Sequence, residues 1–528
     1  MGCAVALLAQ GTTTAGIIPL PQKCTLQAGE FVVKAKTKIV LNPNNAQMQK
    51  AVTVMKDLLK TAAGFALPVS KKATDRNVII CTLNPNLKHD EAYKLWVQKD
   101  KITIEAKTPH GVFYAMQTLR QLLPPAIEKK TVQSAVKWTI PCLEIEDAPR
   151  YNYRGLHLDV GRHFMTQQEV MRYIDLLAYH KMNIFHWHLT DDQGWRIEIK
   201  KYPKLTKVGA WREQTKERTG ELDSAGKYIA HWDNRPHGGF YTQAEVKEVI
   251  AYAQKRFVTV IPEIDMPGHS LAALAAYPKF SCSGGPFRVE GQWGIFEDIF
   301  CAGQDATFAF LEDILTEIIA IFPSPYIHIG GDEVPKTRWE RCHACQTRMK
   351  ELGIKGEHQL QSYFITRISM FLAAKGKSVI GWDEVLEGGL APDVIVMSWR
   401  GIEGGIEAAE MQHNVIMTPR QYVYLDYAQD EASPAKRVLP LQKTYSYDPT
   451  PVELTPEEAQ YILGVQGNVW TEHIPTFERV LYMAFPRAAA IAEVGWTQKE
   501  QKNFDNFKLR LQQIAAHYDA MGIQYYQP

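Results

Sequence analysis

The spacing of apolar positions changes character near residue 149. Before it, apolar–polar alternation predicts a strand over Phe31–Leu41 and another over Val78–Leu83. Tyr93–Val97 and Lys101–Ala106 read as a hairpin around Lys99-Asp100. Helical spacing fills Met48–Ala63, closed by Gly64, and a second helix opens at Pro109 and Gly111 and runs to Leu123. These elements predict a small N-terminal α+β domain over residues 23–148. Pro124-Pro125, the charged Glu128–Lys130 and Pro141 read as its boundary segment, with a new domain opening near Pro149.

Beyond that point the chain alternates short β-rich runs with helical stretches. The runs are Gly155–Val160, Met182–His188, Val258–Ile264, Tyr326–Ile329, Ser378–Ile380, Val394–Ser398, Asn414–Thr418 and Gly464–Asn468. Gln167–His180, Ala244–Lys255, Phe308–Ile321 and His358–Lys375 are helical by period. Eight β-then-α units predict an α/β fold, a (β/α)8 TIM barrel over 149–528 with long insertions and a C-terminal helix. An open doubly wound sheet is the alternative, but no Gly-rich dinucleotide loop follows any of the runs.

Composition narrows the function. With 45% apolar and 22% charged residues, the 528-residue chain can bury a large core, which excludes wholesale disorder. A net charge of +1 removes any compositional argument for nucleic acid or an anionic membrane surface. The 12 Trp, 23 Tyr and 20 Phe, several in polar motifs, suit sugars, which have one apolar face and a rim of hydroxyls. Eight cysteines are too few for a disulfide scaffold in a chain this long. Cys282 and Cys301 bracket a Gly/Pro-rich stretch and could close a loop. Cys342-His343-Ala344-Cys345 has CxxC spacing but lacks a second CxxC, so a solvent-facing helix start and no metal are expected there. Met1–Gln22 is uncharged, with a short apolar run at Cys3–Ala9. It reads as a leader over 1–22, a remnant export signal without its basic region, and predicts a periplasmic or extracellular protein. No stretch reaches the length of a membrane span.

Chemistry clusters just after the runs, where barrel active sites are built. Asp332-Glu333 follows Gly330-Gly331. Strand alternation would point the two acids in different directions and suit them to two roles. A carboxyl in a Trp-lined pocket beside another carboxylate is expected to have a raised pKa and to serve as a general acid. The plainer alternative is a helix cap with an acidic first turn. His186-Trp187-His188 places two imidazoles on one strand face, a metal-ligand spacing that keeps a barrel amidohydrolase in view. A non-catalytic sugar-binding module is a further rival, although it would not need the acid pair. His157 and His328 read as satisfied barrel histidines.

Asp159-Val-Gly-Arg-His-Phe, His186-Trp-His-Leu-Thr-Asp-Asp-Gln-Gly-Trp, Pro262-Glu-Ile-Asp-Met-Pro-Gly-His and His328-Ile-Gly-Gly-Asp-Glu closely resemble the β-N-acetylhexosaminidases of glycoside hydrolase family 20. Trp382, Trp399, Tyr424-Leu-Asp426 and Trp470-Thr-Glu472 continue the pattern. The resemblance implies an exo-acting, retaining enzyme without a cofactor, whose partners are glycans ending in N-acetylhexosamine. The substrate's own acetamido oxygen would attack C1, as in substrate-assisted glycosidases. It implies Glu333 as acid/base, Asp332 as partner of the acetamido N–H, Tyr424 as donor to the acetamido oxygen, and Asp191 with His269 as a relay to Glu333. Arg162, Asp426 and Glu472 would hold sugar hydroxyls, and Trp382, Trp399 and Trp470 would wall the pocket. Leaving-group preference would reside in insertion loops such as Thr190–Tyr241.

Overall fold

A computed structural model describes residues 15–528, apart from 71–75, 223–227, 431 and 434–436. The N-terminal unit is a seven-stranded sheet. Its strands are β1 (Lys23–Val32), β2 (Lys38–Asn42), β3 (Val69–Ser70), β4 (Val78–Leu83), β5 (Tyr93–Val97), β6 (Lys101–Ala106) and β7 (Thr139–Asp147), in the order β1-β7-β5-β6-β4-β2-β3. Helices Ala46–Ala62 and Pro109–Leu122 accompany it, capped by the side chains of Asn45 and Thr108.

Phe31–Leu41, expected as one strand, spans two. The Thr37 N–H bonds back to the Lys34 carbonyl, and the Thr37 hydroxyl accepts from the Lys34 N–H, so a turn breaks the run. Pro141, expected in a boundary segment, lies inside β7 between its neighbours β1 and β5. The sheet tolerates it because Pro141 faces Glu30 where the β1 register slips, between Leu26 and Glu30; the missing N–H falls at a bulge.

The predicted leader is not all outside the fold. Ile17 and Ile18 are fully buried. The Ile18 N–H donates to Gln121, and Arg510 donates to the Ile17 carbonyl. Two isoleucines gain more from burial than from forming a solvated tail. Residues 1–14 of that leader lie outside the described residues.

The second unit is a closed barrel of eight parallel strands: β8 (Tyr153–Asp159), β9 (Ile184–His188), β10 (Thr259–Glu263), β11 (Tyr326–His328), β12 (Ser378–Trp382), β13 (Ile395–Ser398), β14 (Val415–Met417) and β15 (Ile462–Gly467). The β15–β8 pairing closes it. Each strand coincides with one predicted run, its ends shifted by two residues or fewer. Alternation divides β9: Ile184 joins the barrel interior, while Phe185 and Trp187 pack outward against Tyr173 and Tyr241. Capping boxes at Thr166/Glu169 and Thr242/Glu245 start the helices Gln167–Tyr179 and Gln243–Gln254.

The small unit docks where the barrel strands begin. Arg154, at the start of β8, pairs with Glu91 at 2.6 Å, and Lys181, just before β9, pairs with Asp147 at 3.0 Å. Trp496 donates to the same Asp147. The carboxyl ends of the strands are left for the site.

The CxxC segment departs from expectation. Cys342 does precede the helix His343–Leu352, but Cys342 and Cys345 are both buried and face Cys301 rather than solvent. The buried Trp339, whose indole donates to the Phe300 carbonyl, draws this segment inward.

Candidate active site

The acid pair lies past the end of β11. Gly330 and Gly331 have φ of 72° and 95°, and Glu333 itself has φ of 49°. Left-handed backbone at Glu333, rather than strand alternation, therefore turns the two acids apart. Such a conformation is costly for a residue with a Cβ and is held only where its surroundings enforce it. Gly330 is required as well, since a Cβ there would fall 1.7 Å from Asp265 Oδ1. Asp332 ends up buried; the Glu333 side chain is 34% exposed, at the mouth of the site.

Their proton affinities diverge in the direction opposite to expectation. Burial, with Glu333 close by and His269 opposing, pushes Asp332 up to about 7. Burial also acts on Glu333, but the bond and charge of His269 outweigh it and hold Glu333 below its usual value. His269 is buried too, yet Asp191, Asp192 and Glu333 raise it well above an ordinary imidazole. Of the two acids, Asp332 therefore has the higher proton affinity.

His269 Nε2 lies 3.4 Å from Glu333 Oε2 and 3.7 Å from Asp332 Oδ2. Its Nδ1 is 3.0 Å from Asp192 Oδ2 but 3.6 Å from Asp191 Oδ1. The nearer partner in the relay is thus Asp192, whose other oxygen accepts from the Leu271 N–H. Asp191 is committed elsewhere, to Arg162 at 2.9 Å and His188 at 2.8 Å. Adjacency in one motif was the only sign of Asp192 in the sequence.

Beneath the pair, Glu263 gathers the barrel imidazoles. Its carboxylate lies 2.5 Å from His188 Nδ1, 3.0 Å from His186 Nε2 and 2.9 Å from His328 Nδ1, and it accepts from the Trp382 indole at 2.9 Å. Burial opposes its charge, but the three imidazoles hold it well below the usual carboxylate range. The His186/His188 pair is spent on this carboxylate. His157 corrects the expectation of a satisfied histidine: among the described residues neither ring nitrogen has a hydrogen-bond partner, and its ring packs 4.4 Å from Trp470. Burial pushes its pKa well down, so it is neutral.

Aromatic rings form the walls. Trp470 is 5.7 Å from Trp382 and 6.5 Å from Tyr424, which stacks on Trp399 at 6.1 Å. The Trp399 indole is fixed by Glu384 at 2.9 Å. The Arg162 guanidinium lies 4.9 Å over Trp470, with Nε and Nη1 buried and without a hydrogen-bond partner among the described residues. One oxygen each of Asp332 and Asp426 is in the same condition. Burial and Glu472 push Asp426 up to about 8; burial also raises Glu472, against Arg162. All eleven residues singled out in the sequence converge on this face. Asp192, Glu263, Asp265 and Glu384 were not singled out.

A parallel barrel whose carboxyl face joins paired acids, an arginine with idle donors and three indoles is the architecture of a hydrolase acting on carbohydrate. The catalytic-domain model of glycosyl hydrolase family 20 matches residues 151–499, and that family's domain 2 model matches 14–148. The chain belongs to glycosyl hydrolase family 20, which removes the amidohydrolase and the non-catalytic sugar-binding module as alternatives. It is 43% identical over 519 residues to a beta-hexosaminidase of Porphyromonas gingivalis, covering 97% of this chain and 64% of that one. A Cellulomonas fimi beta-N-acetylhexosaminidase is 32% identical, with coverages of 97% and 95%. The structure of the family 20 beta-N-acetylhexosaminidase of Streptomyces coelicolor superposes with a TM-score of 0.83 at 31% identity, covering 97% of this chain and 98% of that one. A mutant Streptomyces plicatus beta-hexosaminidase in complex with the product GlcNAc gives 0.83 at 32% identity, with 97% of each chain covered.

Proposed function

We propose that the chain is an exported, exo-acting β-N-acetylhexosaminidase that removes terminal non-reducing β-linked GlcNAc or GalNAc with retention of configuration. The observation that carries this reading is the pair itself: a buried Asp332 beneath a half-exposed Glu333, both within reach of His269. Only Glu333 stands where a leaving oxygen can meet it, so it protonates that oxygen and then deprotonates water. Asp332 lies too deep for a leaving group and instead accepts the acetamido N–H. Tyr424, beside it in the wall, donates to the acetamido oxygen and sets its line of attack on C1. The intermediate is a cyclic oxazolinium, and no protein nucleophile is needed.

Substrate also corrects the position of the proton. An acetamido N–H aimed at Asp332 favours its carboxylate form, and the proton passes to Glu333, where the reaction requires it. The idle donors of Arg162 and the acceptors of Asp426 and Glu472 take the sugar hydroxyls, and Trp382, Trp399 and Trp470 enclose the ring. Proton NMR during turnover of an aryl N-acetyl-β-glucosaminide tests the proposal. The β-anomer of free N-acetylglucosamine should appear first; the α-anomer first, or no turnover, would refute it.

A further inference from the structure

Cys282, Cys301, Cys342 and Cys345 are spread over 64 positions of sequence, yet their four sulfurs lie within 4.8 Å of one another. Three of the separations are 3.6 Å (Cys301–Cys345), 3.7 Å (Cys301–Cys342) and 3.7 Å (Cys282–Cys345). A disulfide requires about 2.05 Å. Four sulfurs around a tetrahedral ion, at metal–sulfur bonds of about 2.3 Å, stand roughly 3.8 Å apart. The cysteines therefore already approximate the edges of a tetrathiolate tetrahedron.

The backbone is shaped for this approach. Cys282 and Cys301 hang from facing segments joined by the Ser281–Phe300 bridge, and the Cys301 N–H bonds to the Phe280 carbonyl. Gly303 lies directly on the CxxC turn, where a Cβ would fall 2.2 Å from the Ala344 carbonyl carbon and 2.3 Å from the Cys345 nitrogen. Only a residue without a side chain lets the two cysteine-bearing segments touch.

We propose that Cys282, Cys301, Cys342 and Cys345 form a closed structural zinc site, each thiol releasing its proton on coordination. Four thiolates confined together would repel one another without a dication, and soft sulfur ligands in tetrahedral array select zinc or iron. Zinc suits a purely structural role, because four protein ligands leave no open position for chemistry. The site lies between two loops of the active face: one pair of cysteines follows His269 after β10, and the other follows Asp332-Glu333 after β11. The ion staples those loops together behind the acid pair.

Elemental analysis of the full chain, purified from zinc-supplied cells without chelator, should find about one zinc per chain and little iron. Cys282→Ser and Cys345→Ser should lower this below roughly a tenth, while Cys24→Ser, outside the cluster, leaves it unchanged. Should either cluster variant fail to fold, cobalt grown into the wild-type protein provides the second readout, as the intense visible absorption of tetrahedral cobalt thiolate. Zinc that persists in the cluster variants, iron in place of zinc, or non-reducing peptide maps showing disulfides among these four cysteines would each overturn the proposal.

Discussion

His269 and Glu333 meet at 3.4 Å although both have left-handed backbone, with φ of 45° and 49°. Each comes from the loop beyond a different strand, so the contact records two separate conformational costs. The imidazolium repays them by holding Glu333 low in proton affinity. Replacing His269 with Asn should let burial dominate and raise the pKa of Glu333. The acid limb of kcat/KM should then move to higher pH; a limb that stays in place would show that the contact has no part in tuning Glu333.

Glu333→Gln should reduce turnover of natural disaccharides by on the order of 100- to 10,000-fold, the usual contribution of a general acid. Aryl glycosides with good leaving groups need little protonation and should lose much less in the glycosylation step. Pre-steady-state rates on both substrate types separate that step from hydrolysis of the intermediate. Equal losses in it would refute the assignment.

The borrowed nucleophile is tested through its electrons. Successive fluorination of the acetyl group should lower the rate steeply, because it draws density from the attacking oxygen. A thiazoline mimic of the intermediate should bind tightly to the wild type and lose a few kcal/mol in Asp332→Ala, where its ring N–H lacks a charged partner. A shallow fluorine series with unchanged thiazoline affinity would contradict the mechanism.

One proton shared by two acids predicts a bell-shaped kcat/KM profile. Adding the second proton, on the low-affinity Glu333, ends activity on the acid side. Losing the last one, which Asp332 holds up to about 7, ends it on the alkaline side. The alkaline limb should therefore fall near pH 7. Stability follows the opposite logic. A carboxyl with a raised folded-state pKa costs nothing below its unfolded value and most above its folded one. Asp332→Asn should therefore raise the melting temperature more at pH 8 than at pH 4, while abolishing efficient turnover. Calorimetry at the two pH values checks the sign.

Gly330→Ala should destabilise the fold by about 2 kcal/mol or more, through its positive φ and the collision with Asp265. Urea denaturation measures it; a neutral result would mean that Asp265 can move aside freely.

The barrel was legible because each strand is short, apolar and followed by a polar cluster, a signal that survives without tertiary information. Tyr93–Val97 and Lys101–Ala106 were legible for the same reason of local alternation. Pro141 misled because a proline inside a strand is acceptable only opposite a bulge, and the bulge belongs to a distant segment. Thr37 misled because its turn is closed by a backbone bond and a side-chain bond to Lys34, which interrupt an otherwise alternating run. The structure gathers on one face the residues named through resemblance, but their pairings were not legible. Whether Asp191 or Asp192 reaches His269 depends on the turn after β9, which no spacing rule resolves. The same holds for the cysteines: Cys282 and Cys301 meet the CxxC turn only because Gly303 lets two loops touch.

The burial of Ile17 and Ile18 has a mechanical consequence. The Leu20 N–H is held by Glu493, Arg510 in the last helix (Phe504–Met521) grips both Glu493 and the Ile17 carbonyl, and Gln501 donates to the Gln22 carbonyl. The segment entering the small domain is thus buckled to the segment that ends the barrel, and the chain behaves like a belt fastened on itself. A hinge between the two units would have to open that buckle first, so the small domain is a fixed foundation rather than a swinging arm. Cutting the belt ahead of Gln22 would loosen the last helix at the far end of the sequence.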